Sequence, residues 1–229
     1  MSQIKSRDRV RDLAEVYTNE REVNAMLDLI PLKKPDDIIT YKYLEPACGN
    51  GNFLIEILRR KLKRVNEKYA DKSMREFEFY HARALTTIYG IDICKENVSE
   101  AIERLYREVK SNIDLHKGSF LYSPGFFPLV RYILTRNIVV GDSIIHADKI
   151  EFTEYLVKGK SFEQRVFNFA TLVEAKPEPV RVIPAENFLL IGQKFQMASN
   201  CEDELGQASL NLGQSELEQK KNRQMQMLI

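Results

Sequence analysis

The chain has 229 residues, 44% apolar and 29% charged, with 34 Lys and Arg against 33 Asp and Glu for a net charge of +1. That balance excludes global disorder and a fibrous repeat, and it excludes a whole-chain basic nucleic-acid binder while leaving room for a local basic face. The length allows one sizeable core with a tail.

In chain order, residues 1 to about 35 form a charged arm that turns amphipathic. Val23, Met26, Leu27 and Ile30 recur at helical spacing, and Pro31 and Pro35 punctuate the end. Residues 41–44 read as a strand, followed by a glycine-containing turn and a helical run over 53–65. Residues 87–91 are the next strand and 96–109 the next helix. Strand, turn, helix, strand, helix is the pattern of a parallel sheet with crossover helices. Residues 118–129 read as irregular, 137–140 as a third strand, and 150–169 as two strands around Lys158-Gly159-Lys160, a β-hairpin. From Ala198 the composition is polar, with no core role expected. Cys48, Cys94 and Cys201 are odd in number and show no C-x-x-C spacing, which fits a reducing cytosol better than a disulfide scaffold or structural zinc. His81, His116 and His146 have no ligand-like spacing, so no metal is expected. The N-terminus lacks the apolar core of a signal peptide, and no run approaches the ~18–20 apolar residues of a membrane span. The expected location is cytoplasmic, with no membrane partner.

The segment richest in chemistry is Leu44-Glu45-Pro46-Ala47-Cys48-Gly49-Asn50-Gly51-Asn52-Phe53. A strand ends there, two glycines bracket a small polar residue, and a helix starts at once. Glycines permit close backbone approach to a ligand, and the helix start offers unpaired N–H groups. A bare Gly-x-Gly is more often an ordinary strand-to-helix turn. The longer stretch resembles motif I of the S-adenosylmethionine-dependent adenine-N6 DNA methyltransferases of restriction–modification systems. It departs from the dinucleotide fingerprint, whose third glycine would fall at Leu54.

Three more segments follow that family's order. Glu15-Val16-Tyr17-Thr18 resembles its upstream Gly-x-Phe/Tyr-Thr-Pro element, with Ala14 for the Gly and Asn19 for the Pro. Residues 88–93 resemble motif II, which implies that Asp92 accepts both ribose hydroxyls, with Ile93 beside it; the plainer alternative is a helix cap. Residues 138–143 resemble motif III, which implies that Asp142 takes the adenine amino group between apolar neighbours; taken alone, Asp142 reads as a turn residue. The resemblance thus implies a cofactor site of Tyr17, Thr18, Glu45, Pro46, Ala47, Cys48, Gly49, Asn50, Gly51, Phe53, Asp92, Ile93 and Asp142. In it Glu45 meets the cationic end of S-adenosylmethionine, amides around Gly49 to Gly51 meet its carboxylate, and Cys48 is a small packing residue. The implied fold is α/β and Rossmann-like, a mostly parallel sheet with flanking helices and a shortened C-terminal half ending in a hairpin. Residues 1–40 form the arm and helix carrying the Tyr-Thr element, 41–197 the cofactor-binding domain, and 198–229 a flexible polar tail.

The family's catalytic Asn/Asp/Ser-Pro-Pro-Tyr/Phe motif is absent, because none of the eight prolines adjoins another. That motif accepts the base amine and stacks on the flipped base. Ser123-Pro124-Gly125-Phe126 keeps the outer residues but lacks the second proline and precedes motif III, so it is not expected to substitute. Only 87 residues follow Asp142, too few for a base-reading domain. Arg59, Arg60, Lys61, Lys63, Arg64 and Lys68 could contact phosphate, although a solvated helix face explains them more simply. Two readings follow. One is a cofactor-binding protein of the adenine-N6 DNA methyltransferase type, acting on DNA with a second subunit that supplies base recognition, or as a shortened enzyme. The other is a catalytically inactive chain that sequesters or senses S-adenosylmethionine, or serves as an interaction scaffold in phage–host restriction conflict. A methyltransferase for RNA, protein or small molecules shares motif I and stays open.

Overall fold

The computed structural model describes residues 18–117, 122–173 and 177–200. Asn19 opens helix α1 (Glu20–Leu27) by accepting from the Glu22 amide, and the helix turns Val23 and Leu27 into the core while Met26 stays exposed. A single turn, α2 (Asp37–Thr40), buries Ile39 and leads into strand β1 (Tyr43–Glu45). Helix α3 (Asn52–Tyr69) follows the glycine turn and presents Leu54, Leu58, Leu62 and Val65 as one buried stripe. Helix α4 (Met74–Leu85) begins at a Ser-x-x-Glu box, with Ser73 accepting from the Glu76 amide. Strand β2 (Ile88–Asp92), helix α5 (Lys95–Lys117), helix α6 (Phe126–Asn137) and strand β3 (Ile138–Val140) complete the first layer.

These strands form a three-stranded parallel sheet in the order β1-β2-β3, with Tyr43 opposite Ile88 and Gly90 opposite Ile138. Two helices lie between each strand and the next, as parallel pairing requires. One face of β2 meets α3: a Cβ at Gly90 would stand 2.8 Å from Leu54 Cδ1. Tyr89 and Ile91, on the other face, pack with Ile150 and Phe152 at the entrance to the second sheet.

That second sheet is antiparallel, formed by β4 (Glu151–Lys158), β5 (Ser161–Asn168) and β6 (Arg181–Asn187) in that order. The hairpin falls where the sequence places it, with Gly159 at φ 64° in a two-residue turn. Phe162 stacks on Phe79 of α4 at 5.5 Å, and the Tyr132 hydroxyl of α6 donates to Gln164 at 2.7 Å. Helix α7 (residues 188–200) buries Phe188 and Ile191 against the same core.

Three findings depart from the sequence reading. The molecule is mixed α/β, but its six described strands divide into three parallel and three antiparallel rather than forming one mostly parallel sheet. After β3 only a short 3₁₀ turn, Ala147–Lys149, precedes β4, too little chain for a crossover helix. Second, residues 126–129 are not irregular. Gly125 caps α6 in a left-handed conformation (φ 90°), and Pro128 sits in its first turn, where the missing N–H costs nothing. Third, β6 was hidden by Pro184, which the strand accommodates at the sheet edge beside a register shift.

Candidate functional site at the carboxyl edge of the parallel sheet

Parallel strands deliver their following loops to one edge, and here three such loops are tied together. Cys48 N–H donates to the Ile91 carbonyl at 2.8 Å, which anchors the turn after β1 to β2. Gly141 N–H donates to the Asp92 carbonyl at 3.0 Å, and Ser143 Oγ donates to the Pro46 carbonyl at 3.1 Å, which closes the β3 loop over the β1 loop. The turn itself needs its glycines. Gly49 and Gly51 have φ of 52° and 89°, and a Cβ on Gly51 would come within 3.0 Å of Ala101.

Asp92 stands at the centre. Its Oδ2 accepts from the Gly49 amide at 2.8 Å, and its Oδ1 accepts from the Cys94 amide at 2.9 Å and from Asn97 Nδ2 at 3.4 Å. It thus links the turn that leads into α5 with the glycine loop after β1. Asp142 Oδ1 accepts from the Ile145 and Ile144 amides, each at 2.9 Å, and these two donors hold its carboxyl below the usual aspartate range. Glu45 Oε1 accepts from the Ala47 amide at 3.3 Å. Cys48 is buried, and burial, reinforced by Asp92 and Glu45, pushes its thiol up to about 12, so it packs rather than reacts.

Helix α5 braces the loop. Arg104 donates to the Asn50 carbonyl at 2.6 Å and to Asn52 Oδ1 at 2.9 Å, while Asn50 Nδ2 donates to Glu100 at 2.8 Å. Asn52 Nδ2 donates to the Thr18 carbonyl at 3.1 Å, which brings Thr18 to the same edge. The structure thus gathers Thr18, Glu45, Pro46, Ala47, Cys48, Gly49, Asn50, Gly51, Asp92, Ile93 and Asp142 around one rim, with Phe53 half-buried in the first turn of α3. Tyr17 lies outside the described residues.

Sequence reasoning missed the braces Asn97, Glu100 and Arg104 and the tie Ser143. It also missed Ile144 and Ile145, which are 89% and 72% exposed, as Ile93 is at 61%. The signal was available for the isoleucines: two consecutive large apolar residues just after a Gly-Asp turn have no core to enter. The braces left no signal, because they depend on how α5 crosses α3.

The basic run after the loop is not one face. Lys61 is fully buried, with its ammonium donating to the carbonyls of Ile38 and Tyr41 and to Thr87 Oγ1, each at 2.7 Å; burial drives its pKa well below the ordinary lysine value. This corrects its grouping with surface or phosphate-contacting cations. Arg59 pairs with Glu108, Arg60 with Asp28 and Glu56, and Arg64 and Lys68 with Asp36. Phe126 of the Ser-Pro-Gly-Phe segment is completely buried, so its ring cannot stack on a base.

Among the described residues no group of three or more His, Cys, Asp or Glu side chains is placed to hold a metal, and no helix is long and apolar enough to cross a membrane. Comparison of the chain with protein-family models, curated proteins and solved structures returned no match.

Proposed function

We propose that this chain binds S-adenosylmethionine at the rim described above. In this reading it is an adenine-N6 DNA methyltransferase-like protein whose parallel layer is half of a Rossmann-like sheet, and a second subunit supplies base recognition. The carrying observation is the bond from the Gly49 amide to Asp92, which joins the glycine loop to the acid at the end of the neighbouring strand. The residues suit such a ligand. Asp92 uses three donors across two oxygens that together offer about four lone-pair sites, and Asp142 Oδ2 has no donor among the described residues. Ile93, Ile144 and Ile145, in the loops after β2 and β3, are exposed apolar side chains that a purine could cover. Asp92 would hold one ribose hydroxyl, Asp142 the adenine amine and Glu45 the cationic end. The Gly49 and Gly51 amides already donate to Asp92 and to the Cys48 carbonyl, which leaves the Asn50 amide of the loop for the carboxylate. When bound, S-adenosylmethionine supplies an electrophilic methyl group on sulfonium.

Calorimetric titration of the full chain with S-adenosylmethionine tests the reading. Saturable heat is expected, and Asp92→Ala should weaken affinity by about tenfold to a hundredfold, the worth of one or two charge-assisted hydrogen bonds. Absence of heat in the wild type would refute it.

Burial of Phe126, together with the missing Pro-Pro motif, favours a second form of the reading, in which the chain alone transfers nothing. It would then sequester or sense the cofactor, or act as a scaffold in restriction conflict. Transfer of labelled methyl groups to DNA by the purified chain alone would exclude that form; transfer only after a partner is added identifies a split enzyme.

A further inference from the structure

Strand β1 is the first strand of the parallel layer, yet it lies at an edge. In a doubly wound sheet laid out 3-2-1-4, the first strand is interior, and the ligand crevice opens beside it where the order reverses. Here positions 3, 2 and 1 are present and the place of strand 4 is empty among the described strands. The Tyr43 amide donates inward to the Thr87 carbonyl at 2.9 Å. Alternation therefore turns the Leu44 amide and carbonyl outward, and the Leu44 residue is 42% exposed.

A cavity flanks this edge on each face of the sheet. On the helical face it is about 210 Å³, lined by Leu27, Ile30, Ile38 and Ile57. On the opposite face it is about 450 Å³, lined by Leu44, Tyr89, Phe152, Phe167 and Leu172. An added strand sends successive side chains to opposite faces, so it would fill both. The charges at the rims are already matched, Arg60 with Asp28, Lys42 with Glu154 and Arg165 with Glu163. Nothing there calls for a charged occupant. A strand buried on both faces reads as a continuous apolar run. Residues 1–17 and 201–229 contain no such run of four; the longest is Met227-Leu228-Ile229.

We infer that the free edge of β1 receives an extended strand from a second polypeptide, uncharged and apolar on both faces, which pairs with Leu44. The inference rests on the split-protein reading above and gives that partner its place. The end of the added strand would lie beside Glu45, next to the cofactor rim.

The test uses the full chain and a capped octapeptide carrying four consecutive β-branched residues between terminal lysines, with amide exchange followed at residues 42–45. In the dilute chain alone the Leu44 amide should exchange at nearly the rate of unstructured peptide. The octapeptide should slow it saturably by about tenfold or more, whereas a version with a central proline should not. Leu172→Asp, which charges the larger cavity, should weaken that protection while leaving the S-adenosylmethionine titration unchanged. A Leu44 amide already protected in the dilute chain would overturn the inference, because a segment of the same chain then covers the edge. Protection that grows with chain concentration would overturn it in favour of a second copy, and lack of protection at millimolar peptide would also overturn it. Cofactor binding lost with strand pairing intact would sink only the cofactor reading, and the converse only this one.

Discussion

Acid titration of His81 isolates one buried group in the core. The ring is completely buried in α4, with Nδ1 2.9 Å from the Phe77 carbonyl and Nε2 2.9 Å from the Asn112 side chain. Burial lowers its pKa from 6.5 to about 4. Below pH 6.5 the unfolded chain therefore takes up a proton that the folded chain refuses until about pH 4, and stability falls as the pH drops through that window. Two and a half units amount to roughly 3 kcal/mol, of which about 2 kcal/mol is lost by pH 5. Glu78, on the same helix, works in the opposite sense. Burial raises its carboxyl pKa, so its contribution is present at low pH and is lost as the pH rises. Comparison with His81→Gln cancels Glu78 and every other carboxylate. Urea unfolding followed by far-ultraviolet circular dichroism at pH 7.5 and pH 5 should show the variant weaker by about 1–2 kcal/mol at the higher pH, the worth of the lost ring contacts. At pH 5 the deficit should have vanished or reversed. Parallel pH profiles for the two proteins would refute the reasoning, since His81 would then titrate alike in the folded and unfolded chains.

Two further outcomes follow from packing and burial. A Cβ on Gly192 would stand 1.9 Å from the Gly125 carbonyl oxygen and 2.7 Å from the Leu129 nitrogen, backbone atoms that cannot yield. Gly192→Ala should therefore cost about 2 kcal/mol or more in urea unfolding, and a loss below about 0.5 kcal/mol would show that α7 does not press on α6. Glu78 has one buried oxygen without a partner among the described residues, while the other accepts from the Ser123 amide. Glu78→Gln keeps that bond without a charge, so its Tm should exceed that of the wild type at pH 8 by about 3 °C, with the gain disappearing near pH 4. A gain of the same size at both pH values would contradict the assigned cause.

The parts of the candidate site that could be read in advance are those set by neighbours in sequence. Gly49 and Gly51 between a strand and a helix describe their own turn, because only glycine takes those positive φ values without strain. Asp92 and Asp142, each at a strand end, could be assigned a place for the same reason. Lys61 could not, since within α3 it is one cation among several. Its burial depends on the carbonyls of Ile38 and Tyr41, which only the packing of α2 on α3 brings near. Helix α6 was obscured because an aromatic stretch with glycine and proline resembles a loop until Gly125 is seen to cap it.

The sequence by itself determined the alternation of strands and helices, the hairpin at Gly159 and the glycine turn between β1 and α3. Periodicity and turn chemistry are local, and each is settled by residues a few positions apart. Only the tertiary structure decided that the strands split into two sheets, that α5 braces the glycine loop through Arg104, and that β1 is left at an edge with a cavity on either side. Those outcomes depend on which distant surfaces meet, and no local pattern records the order in which strands lie beside one another.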